Sequence, residues 1–206
     1  MRATPCVISV ADHAGWAHVV CVAAAGNVPA VIERRRVATI DDGLPTMPYH
    51  HESLAMPEDE ANALIAKVRR SIAACTSRAL HGVVADLAPA YSVVALAIRE
   101  PQFPALPDTV AVVRQSYRLQ CAADGMMYQL ALRGVARDLG LEVDLCRRGE
   151  ETARAAAQLE VHADDMASFV RGAGRPSGPP WTEEHRRAYA AGVAALARRH
   201  HTIQIP

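Results

Sequence analysis

CVISVADHAGWAHVVCVAAAGNVPAVIERRRVATI, residues 6–40, is the stretch that decides the fold. Residues 6–11 form a short apolar run that ends in Asp12-His13-Ala14-Gly15. Residues 16–24 form a second run, rich in β-branched side chains, and Gly26-Asn27 then supplies the positive-φ chemistry of a tight hairpin turn. Residues 28–40 form a third run, with Pro29 near its start and the charges Glu33 to Arg36 in its middle. Charges and a proline suit a sheet edge, where they discourage pairing with another chain. The chain is therefore expected to open with a three-stranded antiparallel meander.

Beyond it, a polar, proline-bearing stretch covers residues 41–56. Pro57 suits a first helical position, and Glu58, Asp59 and Glu60 favour the positive end of a helix dipole. Ala61, Leu64, Ile65, Val68, Ile72, Cys75 and Ala79 recur at helical spacing, and His81-Gly82 is expected to stop the helix. Residues 83–88 then read as a short apolar strand carrying Asp86, and residues 92–98 as a further strand or a helical turn. Pro101, Pro104 and Pro107 make residues 99–108 a loop. A long helix is predicted from Asp108 or Thr109 to residue 138, with Gly125 as an interior weak point and Gly140 after its end. A strand over 141–146, helices over 150–159 and 161–171, a Gly/Pro linker over 172–180 and a last helix over 182–199 complete the reading. Strands separated by helices imply parallel neighbours joined by right-handed crossovers. The expected architecture is α/β: a mixed five-stranded sheet, antiparallel at one edge and parallel at the other, flanked by helices. Residues 1–171 are expected to form one domain, with residues 181–206 packing back on it across the linker.

Composition narrows the partners. Half of the 206 residues are apolar, enough for a sizeable core, and 21% are charged, which argues against wholesale disorder. Lys+Arg and Asp+Glu stand at 22 each, so no global basic field marks a nucleic-acid or membrane binder. No uninterrupted apolar run is long enough to span a bilayer, so no membrane partner is expected. The start of the chain lacks a signal-peptide pattern. The five cysteines are scattered through apolar runs with no C-x-x-C, which points to reduced thiols and a cytoplasmic protein.

The element order, with an acid closing the first strand and Gly15-Trp16 opening the second, resembles the ribonuclease H-like superfamily, and within it the RuvC-type Holliday-junction resolvases. The resemblance covers residues 5–160 and a C-terminal helix. It implies a first acid at Asp12, a second at the end of the strand after the first helix, read here as Asp86, and a third ligand opening a late alanine-rich helix. Two places compete for the third. Val161-His162-Ala163-Asp164-Asp165-Met166-Ala167 looks like the family's D/H-x-x-D-A pattern and puts forward Asp165. His185 precedes the alanine-rich run 188–195. The chain is also similar to bacterial proteins that share the S-Y-R-x-Q-x-x-A-D-x-x-M-Y helix, here Ser116 to Tyr128, and a G-P-P-W segment before a histidine, here Gly178 to His185. That likeness assigns no chemistry.

The resemblance implies a nuclease that uses Mg²⁺ or Mn²⁺ on structured nucleic acid. Neighbouring carboxylates repel unless a cation sits between them, and hard oxygen ligands suit these ions. Two such ions about 3.5–4 Å apart activate a water and stabilise the leaving oxygen of an in-line displacement. Arg114 and Arg118, on the long helix, are candidates for substrate phosphate. Each residue also has a plainer reading. Asp12 can cap a turn, Asp86 can be a structural acid, and Asp164 and Asp165 can simply favour a helix dipole. His185 can be an ordinary first-turn residue, and His13 and His18 can merely flank the turn. Tyr49-His50-His51-Glu52 is a poor metal cluster, because adjacent side chains rarely converge on one ion. The competing functional class is a non-catalytic binding or scaffolding domain of the same fold, open to homo-oligomerisation, favoured by the neutral charge and the absence of a clear fourth ligand.

Overall fold

The structure is a computed structural model that describes residues 3–174 and 178–205. Strands β1 (Thr4–His13), β2 (Trp16–Ala25) and β3 (Val28–Ala38) form the expected meander. A 3₁₀ turn (Glu52–Ala55) leads into helix α1 (Glu58–Leu87), followed by β4 (Tyr91–Arg99), α2 (Val110–Val113) and α3 (Tyr117–Asp138). Strand β5 (Glu142–Cys146) and helices α4 (Glu151–Leu159), α5 (Ala163–Gly172) and α6 (Glu183–Ala197) complete the chain. The strand order is β3-β2-β1-β4-β5: β1 and β2 pair antiparallel, as do β2 and β3, whereas β4 is parallel to both β1 and β5. The mixed sheet expected from sequence is present, with the charged Glu33–Arg36 segment on its β3 edge.

Alternation along the strands sorts the core into two layers. Val7, Val20, Ala95 and Ala97 face α4, α5 and α6, while Ile8, Val10, Val19, Leu96 and Ile98 face α1 and α3. The final helix is alanine-rich for a geometric reason. A Cβ on Gly192 would lie 2.7 Å from Val22 Cγ2 and 3.3 Å from Ser9 Cβ, so α6 rests almost directly on β1 and β2. Tyr189, fully buried beside it, donates its hydroxyl to the Pro29 carbonyl at 2.8 Å. Residues 175–177 of the Gly/Pro segment lie outside the described residues; just after them, the Gly178 and Pro180 carbonyls accept from Arg34 on β3. Among the described residues no helix is long and apolar enough to cross a membrane.

Two readings of the sequence need correction. Residues 83–88 are not a strand. The apolar spacing continues through Leu80, Val83 and Leu87, so α1 runs on past His81-Gly82, and Asp86 lies in its last turn. The helix ends where Ala88 precedes Pro89, since a residue before proline is pushed out of helical conformation. The second helix is likewise not continuous from 109: α2 stops at Val113, and α3 starts afresh after an extended Ser116. Gly125 lies inside α3 with the Phe103 ring over it, where a Cβ would be 2.6 Å from Cζ.

The 41–56 segment is latched to the helices by polar groups. Asp124 of α3, itself buried, accepts from the backbone N–H groups of Tyr49 (3.0 Å) and His50 (3.1 Å). Tyr128 donates to the Thr46 carbonyl at 2.8 Å, and Arg114 donates to the carbonyls of Leu54 and Met56 at 2.7 Å each. Burial pushes the Asp124 carboxyl up to about 7, against the lowering effect of the two N–H donors. Between its ordinary value and that one, the folded chain holds more protons on Asp124 than the unfolded chain. Stability contributed by Asp124 therefore falls as pH rises from about 4 to about 7. Urea titrations across this range should show that decline, and Asp124→Asn, which cannot ionise, should flatten it.

Candidate functional site at the carboxyl ends of β1 and β4

Open α/β sheets bind ligands beyond the carboxyl ends of their strands. Here that position is a cleft bounded by the ends of β1 and β4, the loop after β5, the start of α4 and the first turns of α6. Asp12 closes β1, with its side chain only 7% exposed, and a buried carboxylate needs a compensating charge. That charge is Arg99, the last residue of β4, which donates to Asp12 Oδ2 at 3.2 Å. Glu184 enters from the first turn of α6 and faces two guanidinium groups, Arg148 at 3.1 Å and Arg187 at 3.4 Å. Glu151, at the start of α4, accepts from the Gly149 N–H at 2.8 Å. At the floor of the cleft, the buried Ser9 hydroxyl has no protein partner.

The residues anticipated from sequence do not gather here as a group. Asp12 does. Asp86 does not line the cleft: it is exposed on α1 and pairs with Arg35 of β3 at 2.9 Å. Asp164 and Asp165 lie in the exposed first turn of α5, again outside the cleft. His185 sits in α6 next to Glu184, but its imidazole completes a capping box: Nδ1 accepts from the Thr182 N–H at 3.2 Å and lies 2.7 Å from Thr182 Oγ1. Burial, together with His18 and Arg34, pulls its value down to about 4, so it is neutral near pH 7. Arg114 spends its guanidinium on the carbonyls described above, and Arg118 is exposed on α3.

Beside the cleft, aromatic and imidazole rings form a continuous ribbon. His13 stacks on Trp16 with centroids 4.0 Å apart, and His18 meets Trp16 at 4.9 Å and His185 at 4.0 Å. Trp181 stacks on His185 at 5.7 Å, and the Arg36 guanidinium lies 4.4 Å over the Trp16 ring. The ribbon ties β2 and β3 to the start of α6. His18 is held below the ordinary imidazole value chiefly by burial, then by His13 and Arg36.

Sequence reasoning missed Arg99, Arg148, Glu184 and Arg187. The missed signal lay in β4. Once β4 is recognised as the strand that follows α1, the position after its Ile98 holds Arg99, not an acid. On the late helix, Glu184 stands three residues ahead of Arg187-Ala188, so the D/H-x-x-D-A spacing meets glutamate and arginine in its two ligand places.

Whether a divalent metal suits this site depends on its donors. Mg²⁺ and Mn²⁺ want several oxygen ligands converging on one point. Asp12 and Glu184 instead each face guanidinium groups. Among the described residues, no three His, Cys, Asp or Glu side chains are grouped to hold an ion. The donor set does not fit the metal.

No protein-family model matches the chain, and no curated protein sequence matches it. Among solved structures, RuvC of Thermus thermophilus is similar over 97% of this chain and 98% of its own, at 17% identity and a TM-score of 0.50. T. thermophilus RuvC in complex with a Holliday-junction substrate gives 17% identity, the same coverage and a TM-score of 0.49. A Ppx/GppA family member from Aquifex aeolicus is similar over 76% of this chain and 39% of its own, at 12% identity and a TM-score of 0.34. The full-length likeness to RuvC and the β3-β2-β1-β4-β5 sheet agree, and the chain has the ribonuclease H-like fold.

Proposed function

We propose that the chain is a ribonuclease H-like binding or scaffolding domain whose cleft is closed by internal ion pairs and does not carry metal-dependent phosphodiester cleavage. The observation that carries this reading is the pairing of the cleft carboxylates: Asp12 with Arg99, and Glu184 with Arg148 and Arg187. These guanidinium groups supply the positive charge that the cleft carboxylates require. They also join β4 to β1, and the loop after β5 to α6, so the cleft has a structural task without a ligand. The basic run on β3 is engaged in the same way. Arg34 holds the Gly178 and Pro180 carbonyls, Arg35 pairs with Glu33 and Asp86, and Arg36 covers Trp16.

A second reading, the Mg²⁺- or Mn²⁺-dependent nuclease, draws on one observation: Asp12 and Glu184 border the same cleft at the carboxyl ends of the strands. It requires Arg99, Arg148 and Arg187 to swing away as the ion enters.

One pair of measurements separates the two. Purified protein is incubated with four-way-junction DNA, single-stranded DNA and single-stranded RNA in Mn²⁺, and its thermal midpoint is recorded with and without the ion. The binding-domain reading expects intact substrates and an unchanged midpoint. Cleavage that disappears in Asp12→Asn, or a Mn²⁺-dependent rise in midpoint that disappears in the same variant, would establish the nuclease, because an ion bound to the native state must stabilise it.

A further inference from the structure

Away from the cleft, the 47–56 segment lays a histidine against the only cysteine among the five that is not buried. Cys121 lies in the second turn of α3, and its Sγ is 3.9 Å from His50 Nδ1. We infer that Cys121 and His50 form a nucleophile–base pair, making Cys121 a site of covalent modification by soft electrophiles.

Three features support this. First, His50 is held in place: its backbone N–H is bound by Asp124, the next segment is tied down by Arg114, and its ring meets the edge of Tyr117 at 4.7 Å and stacks on His51 at 4.2 Å. A base fixed by its surroundings within reach of a thiol is the arrangement that activates a weak nucleophile. Second, Cys121 and His50 are both partly exposed, and Tyr117, their neighbour on α3, is 67% exposed. Third, the other thiols are shut off. Cys6, Cys21 and Cys146 lie in the two packed layers beside the sheet, Cys75 is buried in α1, and burial raises the value of all four, Cys6 to about 12. Thiolate, not thiol, is the nucleophile, so such cysteines are inert.

With an alkyl halide the step is a simple displacement. The Cys121 proton passes to His50 Nδ1, the sulfur forms a bond to the halide-bearing carbon, and the carbon–iodine bond breaks to release iodide. The ionisable groups in contact with the pair are His51, Tyr117 and Asp124.

The test uses iodoacetamide on the native full-length protein, with modified peptides quantified by mass spectrometry over time. Cys121 should alkylate at least about tenfold faster than each of the other four cysteines. His50→Gln should slow Cys121 several-fold at pH 7 and leave the others unchanged. At a pH where any accessible thiol ionises unaided, the variant and wild-type rates should converge, which separates lost base from altered access. Equal labelling of all five cysteines overturns the inference, as does an unchanged Cys121 rate in His50→Gln. So does a rate deficit that persists at high pH. A shared thermal midpoint for the two proteins shows that the variant is folded, and Cys121→Ser identifies the labelled peptide.

Discussion

Asp144→Ala is expected to lower unfolding free energy by about 3 kcal/mol, the lower end of the cost of breaking a buried ion pair. Asp144 is 4% exposed on β5, where Val143 and Leu145 pack towards the α1/α3 side and Asp144 and Cys146 towards the other. A carboxylate in that position is tolerated because arginines surround it. Arg199 donates to Oδ2 at 2.5 Å, Arg198 stands 3.0 Å from Oδ1, and Arg154 of α4 approaches at 3.8 Å. Deleting the carboxylate takes from Arg154 its Asp144 partner and leaves Arg198 and Arg199 only the exposed Glu142 as counter-ion. Arg154 and Arg198 keep access to water, which limits the loss. Glu142, 72% exposed and paired with Arg198 and Arg199, supplies the contrast. Its replacement by alanine should cost less than about 1 kcal/mol, as for other surface pairs. Urea denaturation of both variants checks this: the midpoint should fall clearly for Asp144→Ala with an unchanged slope, and barely for Glu142→Ala.

Gly192→Val is expected to cost about 2–3 kcal/mol through overpacking. The new Cβ would arrive 2.7 Å from Val22 Cγ2 and 3.3 Å from Ser9 Cβ, both in residues without solvent exposure, so either α6 lifts from the sheet or Val22 is forced from its rotamer. Intrinsic helix preference pulls the other way but recovers well under 1 kcal/mol. Gly134 of α3 shows what glycine costs when nothing crowds it: no atom lies within 4 Å of its would-be Cβ. Gly134→Ala should therefore raise stability by up to about 1 kcal/mol. Thermal melts of the two variants should shift in opposite directions.

How far the sequence leads depends on the kind of signal. The meander was readable because its strands alternate or run apolar between turn residues, and Gly26 does adopt a φ of 64° at the hairpin. The first helix was readable in its periodicity but not in its length. Gly82 looks like a stop, yet it sits in open helix, and only Pro89, through Ala88, ends the element. That single boundary moved Asp86 from a strand to a helix and took the second acid out of the site. Arg99 carries no signal in the sequence, because a cation at a strand end looks like any exposed charge until the strand is known to lie beside β1. Arg148 and Glu184 are far apart in sequence, so only the fold reveals their pairing. His185 was legible as the opening of the last helix, but its role as a cap needed the Thr182 geometry.

In the proposed function, arginines and not metal ions balance the cleft carboxylates. Diffraction from crystals soaked in Mn²⁺, collected at a wavelength where manganese scatters anomalously, tests that most directly. The prediction is no anomalous peak between Asp12 and Glu184, with Arg99 still bonded to Asp12. A manganese peak coordinated by those two carboxylates, with Arg99 and Arg187 turned outward, would contradict it.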